Sequence, residues 1–465
     1  MKSPAAKNLA EMFAGIDLEV PVLDGSFQRY TNLDSAASTP SLLTVQEAVN
    51  AFLGYYSSVH RGMGFKSQLS THFYEQARMI VLDFMGADPA EQTCIFVKNS
   101  TEALNILAHR IPFSAERDIV LTSGMEHHSN DLPWRAVAEV HHIGVSADGR
   151  LDEGDFDRLL AEFGARIALV SVTGASNVSG FLNPVHPMAE KAHAVGAQFA
   201  VDCAQLAPHR KICMGSLSDP EHFDYTVISS HKMYAPFGSG ALIGRKDTFA
   251  TGAPFMSGGG TVKVVTYEEH TWGAERDEAG SPNVIGAIAL AAAIRTLKTI
   301  SMEAVAAHEI ALTGYALEGM RSIQGVRPFG GTDPGEAENR LGVIPFMVAG
   351  MSHVLVAAIL GYEFGIGVRN GRFCAYPYTM QLLGLSDEEI RQANERIIAG
   401  DSTQIPGLVR ASFGLYNTRE DIDHLIRALT CIARREYKGK YLQDPQSGDF
   451  VPEGWSVNFE SFFSL

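Results

Sequence analysis

Apolar runs of strand length, each closed by turn-forming residues, recur through the first half of the chain: CIFV (94–97), DIVLTS (118–123), IALVSVTG (167–174), QFAVDCAQ (198–205), YTVISS (225–230) and GALIG (240–244). Amphipathic stretches such as STEALNILAHRI and LDEGDFDRLLAEFG separate most of them. Strands that are apolar throughout and joined by helices predict a mostly parallel sheet covered on both faces, an α/β architecture. Ligands of such sheets bind beyond the carboxyl ends of the strands. After Ser281 the pattern changes to long helices at 283–300 and 302–323. Strands within RLGVIPFMV, GIGVRNG and LVRASFGLYN then alternate with helices at 352–361, 386–399 and 419–435. This predicts a large domain at 30–290, a smaller α+β domain made of 1–29 and 291–435, and a turn-rich aromatic tail at 436–465 lying over a surface.

Composition narrows the function classes. A chain of 465 residues, 46% hydrophobic and 19% charged, is an ordinary globular polypeptide long enough for two or three cores. Its net charge of -16 repels phosphate backbones, which argues against nucleic acid or an anionic membrane as partner. The longest apolar stretch, VIGAIALAAAI (284–294), is too short to span a bilayer, and MKSPAAKNLAEMFAGIDLEV lacks a signal-peptide core. Five scattered cysteines give neither a disulfide framework nor zinc spacing, so a reducing, cytoplasmic setting is expected.

Polar residues interrupt the strands where chemistry is expected. QFAVDCAQ ends in Asp202 and, three residues on, Gln205; a buried carboxylate there implies a cationic partner. Lys232 follows the run YTVISS, thirty positions (232 - 202) after Asp202. A lysine for an imine and a carboxylate for a pyridine nitrogen are what pyridoxal 5'-phosphate requires. Taken singly, a solvated lysine and an acid acting as a helix cap explain the same residues. FVKNSTEALNILAHR runs from a strand through Ser100 and Thr101 into a helix, offering N–H groups and hydroxyls to a phosphate; a plain capping box is the alternative. Ser229 and His231 flank Lys232 and add candidate phosphate contacts. His127 and His128 are adjacent, a poor arrangement for one ion without an H-E-x-x-H or C-x-x-C beside it, so no metal site is expected. One of them stacked on an aromatic ring suits the crevice better.

The ordered motifs YTNLDSAAS, SVHRG, NSTEALN, MEHHSNDLPW, ASNVSG, VDCAQ, SSHKMYAPFGSG, GSPN, GVRNGRFCA and VRASFGLYNT resemble the class V aminotransferase family of fold-type I pyridoxal-phosphate enzymes, particularly its cysteine desulfurase and selenocysteine lyase branch. The resemblance implies a three-layer sandwich around the mostly parallel sheet. It implies Lys232 as the Schiff-base lysine, Asp202 as partner of the ring nitrogen, Gln205 at the ring hydroxyl and His127 as a catalytic residue stacked on the ring and helping to move protons. Ser100, Thr101, Ser229 and His231 would bind phosphate, joined by Ser281 from a second subunit of a homodimer. Arg410 would hold the carboxylate of an amino-acid substrate, with Asn177 and Arg369 nearby. Cys374 falls where the family's nucleophilic cysteine receives sulfur as a persulfide, leaving alanine and passing sulfur to an acceptor, such as another protein.

The chain departs from the family pattern at Gly371, Arg372 and Phe373, where relatives often carry Gly-His-His, and at Lys98, where arginine is common. A helical segment, SDEEIRQANERIIAG, lies in the 36 positions (410 - 374) between Cys374 and Arg410. Arg369 and Arg372 would favour the Cys374 thiolate if they point toward it. Two competing readings remain: an aminotransferase, epimerase or other lyase that does not use Cys374, and a scaffold that has lost its chemistry.

Overall fold

The computed structural model describes residues 9–465. Seven strands form the large sheet: β1 (Gln92–Val97), β2 (Ile119–Ser123), β3 (Glu139–Ile143), β4 (Ile167–Thr173), β5 (Gln198–Asp202), β6 (Tyr225–Ser229) and β7 (Gly240–Arg245). Their spatial order is β1-β7-β6-β5-β4-β2-β3. All neighbours from β6 to β3 are parallel, while β7 runs antiparallel to both β6 and β1. Strands β2, β4 and β6 are buried at every position, because helices and loops cover both faces of the sheet. That is why these segments read as unbroken apolar runs. The edge strand β3, EVHHI, buries only Ile143 and carries no such run.

Parallel registration has a direct consequence for the site. Thr173 stands opposite Asp202, and Asp202 opposite Val227, so β4, β5 and β6 finish along one edge. The chain leaves β6 through a single turn, Ser230–Lys232, which puts Lys232 over the same edge. Helices α1 (Ser100–Arg110), α2 (Val185–Ala194) and α3 (Val284–Ile300) pack against this sheet.

A second, antiparallel sheet of four strands follows: β8 (Val326–Pro328), β9 (Val343–Val348), β10 (Arg369–Gly371) and β11 (Leu408–Ser412), in the order β8-β9-β11-β10. Helices α4 (Met302–Arg321), α5 (His353–Phe364) and α6 (Arg419–Ala433) share a hydrophobic cluster with it that is separate from the clusters around the large sheet. The N-terminal segment reaches this sheet too: Thr31–Asn32 pairs in parallel with Ile366–Gly367, and Asp34 bridges to Ser412. Near the C-terminus a hairpin of Tyr441–Gln443 and Phe450–Pro452 lies against α5, where the Trp455 and Tyr362 rings meet at 5.6 Å. Among the described residues no single helix is long and apolar enough to cross a membrane.

Candidate active site

The edge where β4, β5 and β6 end lines a cavity of about 340 Å³, to which the small sheet contributes Arg369 and Arg410 and the turn after β10 contributes Phe373 and Cys374. Lys232 lines it, and loss of hydration pulls the pKa of its amine down to about 8, opposed by Asp202 and reinforced by Arg410. Asp202 is 5% exposed, and burial raises its pKa, against the pull of the Ala204 N–H and of Lys232. Among the described residues that N–H, 2.9 Å from Oδ1, is the only hydrogen-bond donor to the carboxylate. A buried carboxylate so thinly partnered suits a cationic or N–H group placed in the cavity. Gln205 lines the same cavity and is held by donating from Nε2 to the Ala36 carbonyl at 2.8 Å.

Behind Asp202 lies Glu126, a residue to which sequence reasoning gave no role although it sits in the quoted MEHHSN motif. Burial pushes its pKa up to about 8, opposed by hydrogen bonds that include those from Ser123 Oγ (2.5 Å), Asn130 Nδ2 (2.7 Å) and the Thr173 N–H (2.8 Å).

The anion-binding corner is built on the start of α1. Asn99, one residue before the two hydroxyls, caps this helix by accepting from the Glu102 N–H at 3.1 Å. Ser100 and Thr101 are therefore spared that duty and line the cavity at the positive end of the helix dipole. Ser229 Oγ accepts from the Ser100 N–H at 2.9 Å and donates to Ser100 Oγ at 3.0 Å. Thr101 Oγ1 lies 2.7 Å from Ser129 Oγ, which is 3.0 Å from His127 Nδ1. Burial, with Lys232 close by, lowers the His127 pKa to about 3 and that of His231 to about 4, so both rings are neutral at pH 7. Neutral imidazoles offer a hydrogen bond or a flat face without adding charge.

At the far end Arg410, 3% exposed, projects from β11. It donates from Nη1 to the Asn177 carbonyl (2.8 Å) and from Nη2 to Asp34 Oδ1 (3.1 Å), and its guanidinium lies 4.9 Å from the Phe373 ring centroid. Its Nε is buried and has no hydrogen-bond partner among the described residues. Asp34 also binds Arg369 at 2.9 Å, so one carboxylate bridges both arginines. Sequence reasoning gave Asp34 no role; the Ser412 N–H donates to the Leu33 carbonyl at 2.7 Å, anchoring Asp34 beside Arg410.

Cys374 is exposed, and both it and Phe373 take φ of 53°, a left-handed conformation uncommon for residues with a Cβ. Three hydrogen bonds staple this turn: Asn177 Nδ2 to the Phe373 carbonyl (2.6 Å), the His128 N–H to the Cys374 carbonyl (2.7 Å) and the Tyr376 N–H to His128 Nε2 (3.2 Å). Arg372 lies over the Tyr376 ring at 4.9 Å. The cavity thus brings together Ser100, Thr101, His127, Asn177, Asp202, Gln205, Ser229, His231, Lys232, Arg369, Cys374 and Arg410. Ser281 stands apart and exposed, lining a separate hollow with Tyr56 and Arg61. Cationic and neutral donors dominate the cavity lining, in which Asp202 is the one acid among the described residues, so it can take a dianion and a carboxylate at once.

Residues 31–425 match the sequence model of the family described as Aminotransferase class-V. The chain is 33% identical to a probable cysteine desulfurase of Streptomyces coelicolor over 429 residues, 88% of this chain and 94% of that one. It is 33% identical to a cysteine desulfurase of Dickeya dadantii over 433 residues, 90% and 95% of the two chains. Its fold matches a cysteine desulfurase from Thermococcus onnurineus with a TM-score of 0.75 at 32% identity, covering 87% of this chain and 95% of the other. The cysteine desulfurase CsdA of Escherichia coli matches with a TM-score of 0.74 at 27% identity, covering 93% and 100%.

Proposed function

The chain belongs to the class V aminotransferase family, and from that premise we propose that it is a pyridoxal-phosphate-dependent cysteine desulfurase, releasing sulfur or selenium from a cysteine-like amino acid. The observation that carries this reading is a single cavity lined by Lys232, Asp202, Cys374 and Arg410.

The residues present fit the cofactor. Asp202, short of donors, would face the ring nitrogen; Gln205 would meet the ring hydroxyl; the neutral His127 ring would stack on the cofactor. Ser100, Thr101, Ser229 and His231 would hold the phosphate, with Ser281 supplied by a second copy of the chain in a homodimer. Pyridoxal 5'-phosphate supplies an aldehyde for the substrate amine and a ring that withdraws electrons from Cα.

The chain's own groups do the rest. Arg410 exchanges its contact with Asp34 for the substrate carboxylate, a two-pronged match for guanidinium that also engages the unpartnered Nε. Arg369, paired to the same Asp34, closes that end, and Asn177 holds the turn that carries Cys374. Lys232, its amine pKa near 8, takes the proton from Cα. The Cys374 thiolate attacks the substrate sulfur: an S–S bond forms, the Cβ–S bond breaks, and its electron pair stays on the carbon skeleton, which is protonated and leaves as alanine. The persulfide sulfur then passes to an acceptor such as another protein. Five free cysteines support a reducing, cytoplasmic setting. We take residues 30–290 as the cofactor-holding unit, 1–29 and 291–435 as the small domain and 436–465 as the tail, with residues 1–8 outside the described residues and 291–300 completing α3 against the large sheet.

One observation favours a second reading, an aminotransferase, epimerase or lyase that leaves Cys374 idle: Phe373 precedes Cys374, and Arg372 is drawn off to Tyr376. Assaying sulfide and alanine from L-cysteine with wild type and Cys374→Ala separates the two. Desulfuration falls to background in the variant under our reading; persistence supports the second.

A further inference from the structure

At the opposite edge of the large sheet, His193 in the last turn of α2 meets His222 and Asp224, which lie just before β6. Asp224 is separated from the cavity by the length of that strand, about 16 Å at roughly 3.3 Å per residue. The two imidazoles stack with centroids 4.1 Å apart and planes 14° from parallel. His193 Nε2 lies 3.0 Å from Asp224 Oδ2 and His222 Nε2 lies 3.3 Å from Oδ1.

The donor and acceptor inventory of this cluster does not balance by itself. His193 Nδ1 is 2.7 Å from the Pro220 carbonyl and His222 Nδ1 is 2.5 Å from the Asp219 carbonyl, and a carbonyl only accepts. Both rings therefore carry their proton on Nδ1, and each neutral ring turns its Nε2 lone pair toward a carboxylate that also only accepts. That carboxylate is held from behind by the Phe199 N–H (2.8 Å to Oδ2) and Arg245 Nη1 (3.0 Å to Oδ1), with Arg245 also bound to Asp247. Protonating both Nε2 atoms satisfies the count but stacks two imidazolium rings face to face beside an arginine.

A divalent cation satisfies it without that repulsion. We propose that His193, His222 and Asp224 bind one transition-metal ion of the zinc type. The three donor atoms lie within 4.8 Å of one another. Tetrahedral zinc with bonds of about 2.0–2.1 Å needs neighbouring donors about 3.3 Å apart; the nitrogen-to-oxygen distances of 3.0 and 3.3 Å meet this, and the two rings swing out of their stack to aim both Nε2 atoms at one ion. Two imidazoles and one carboxylate suit zinc among the common cations, and a ligating histidine characteristically donates its other ring N–H to a carbonyl, as both do here. His193 is 19% exposed, which opens the site to ions from solvent. The ion would tie the end of α2 to the start of β6, a structural role remote from the cavity.

The test is zinc binding by the chelator-stripped, cofactor-loaded enzyme, followed by equilibrium dialysis with metal analysis and by thermal melts with and without Zn²⁺. Wild type is expected to hold one equivalent more than His193→Ala and to gain a zinc-dependent rise in Tm that this variant lacks. His193→Phe keeps the stack but removes the ligand atom, so it covers a failure of the alanine variant to fold; it too must lose one equivalent. Desulfuration without zinc stays unchanged in both. Equal stoichiometry and equal melting shifts in wild type and variants overturn the site.

Discussion

Lys232 sets a quantitative test of how dry the cavity is. Its amine falls from the ordinary 10.5 to about 8, chiefly because burial strips its water, with Asp202 pulling the other way. A drop of that size corresponds to about 3 kcal/mol separating the charged and neutral forms. At pH 7 about a tenth of the amine is neutral, against about one part in 3,000 for an ordinary lysine, a ratio of about 300. Because the neutral amine is the nucleophile, trace acetylation of cofactor-free protein across pH 6–10, read peptide by peptide, reports its titration directly. The Lys232 peptide should reach half-maximal labelling near pH 8, far ahead of exposed lysines. Replacing Asp202 by Asn removes the anion that favours the ammonium form, so the midpoint should fall below that of wild type. A wild-type midpoint near 10, or an upward shift in Asp202→Asn, refutes the reasoning.

Three further outcomes are expected. Arg410→Lys keeps the charge but loses the fork, so KM for the amino acid should rise by about 10- to 100-fold, the equivalent of about 1.4–3 kcal/mol for a lost charge-assisted hydrogen bond, with a smaller change in kcat. Asn177→Ala removes the 2.6 Å bond to the Phe373 carbonyl and frees the turn at Cys374, so single-turnover sulfur transfer should slow while cofactor absorbance stays intact. Leu425→Ala on α6, at a fully buried position under the small sheet, should cost about 2–5 kcal/mol, read as a lower denaturation midpoint.

The parts legible in the sequence were those whose physics is local. Strands β4 and β6 announce themselves because every position is buried, and the spacing of Asp202 from Lys232 follows from consecutive parallel strands that end on one edge. Edge strand β3 escaped because EVHHI, largely uncovered, carries no apolar run. The short hairpin Val262–Val265 with His270–Trp272 escaped for the same reason, most of its positions being exposed. The alternative reading of NSTE, a capping box on Ser100 or Thr101, is off by one residue, because Asn99 caps α1 and leaves both hydroxyls free of that duty. Asp34 and its hold on Arg410 join positions 376 apart in sequence, and such a pairing leaves no periodicity to read. The His193, His222 and Asp224 cluster is likewise assembled by packing between a helix end and a strand start, without the close spacing by which metal motifs are found.

The account stands on a cavity in which the lysine and the cysteine serve one reaction. Its most direct test is mass spectrometry of the Cys374 peptide after brief exposure of cofactor-loaded enzyme to L-cysteine. The predicted result is the mass of one added sulfur on Cys374 in wild type, with no such addition in Lys232→Ala. Alanine formed while Cys374 stays unmodified, or sulfur added equally without Lys232, contradicts it.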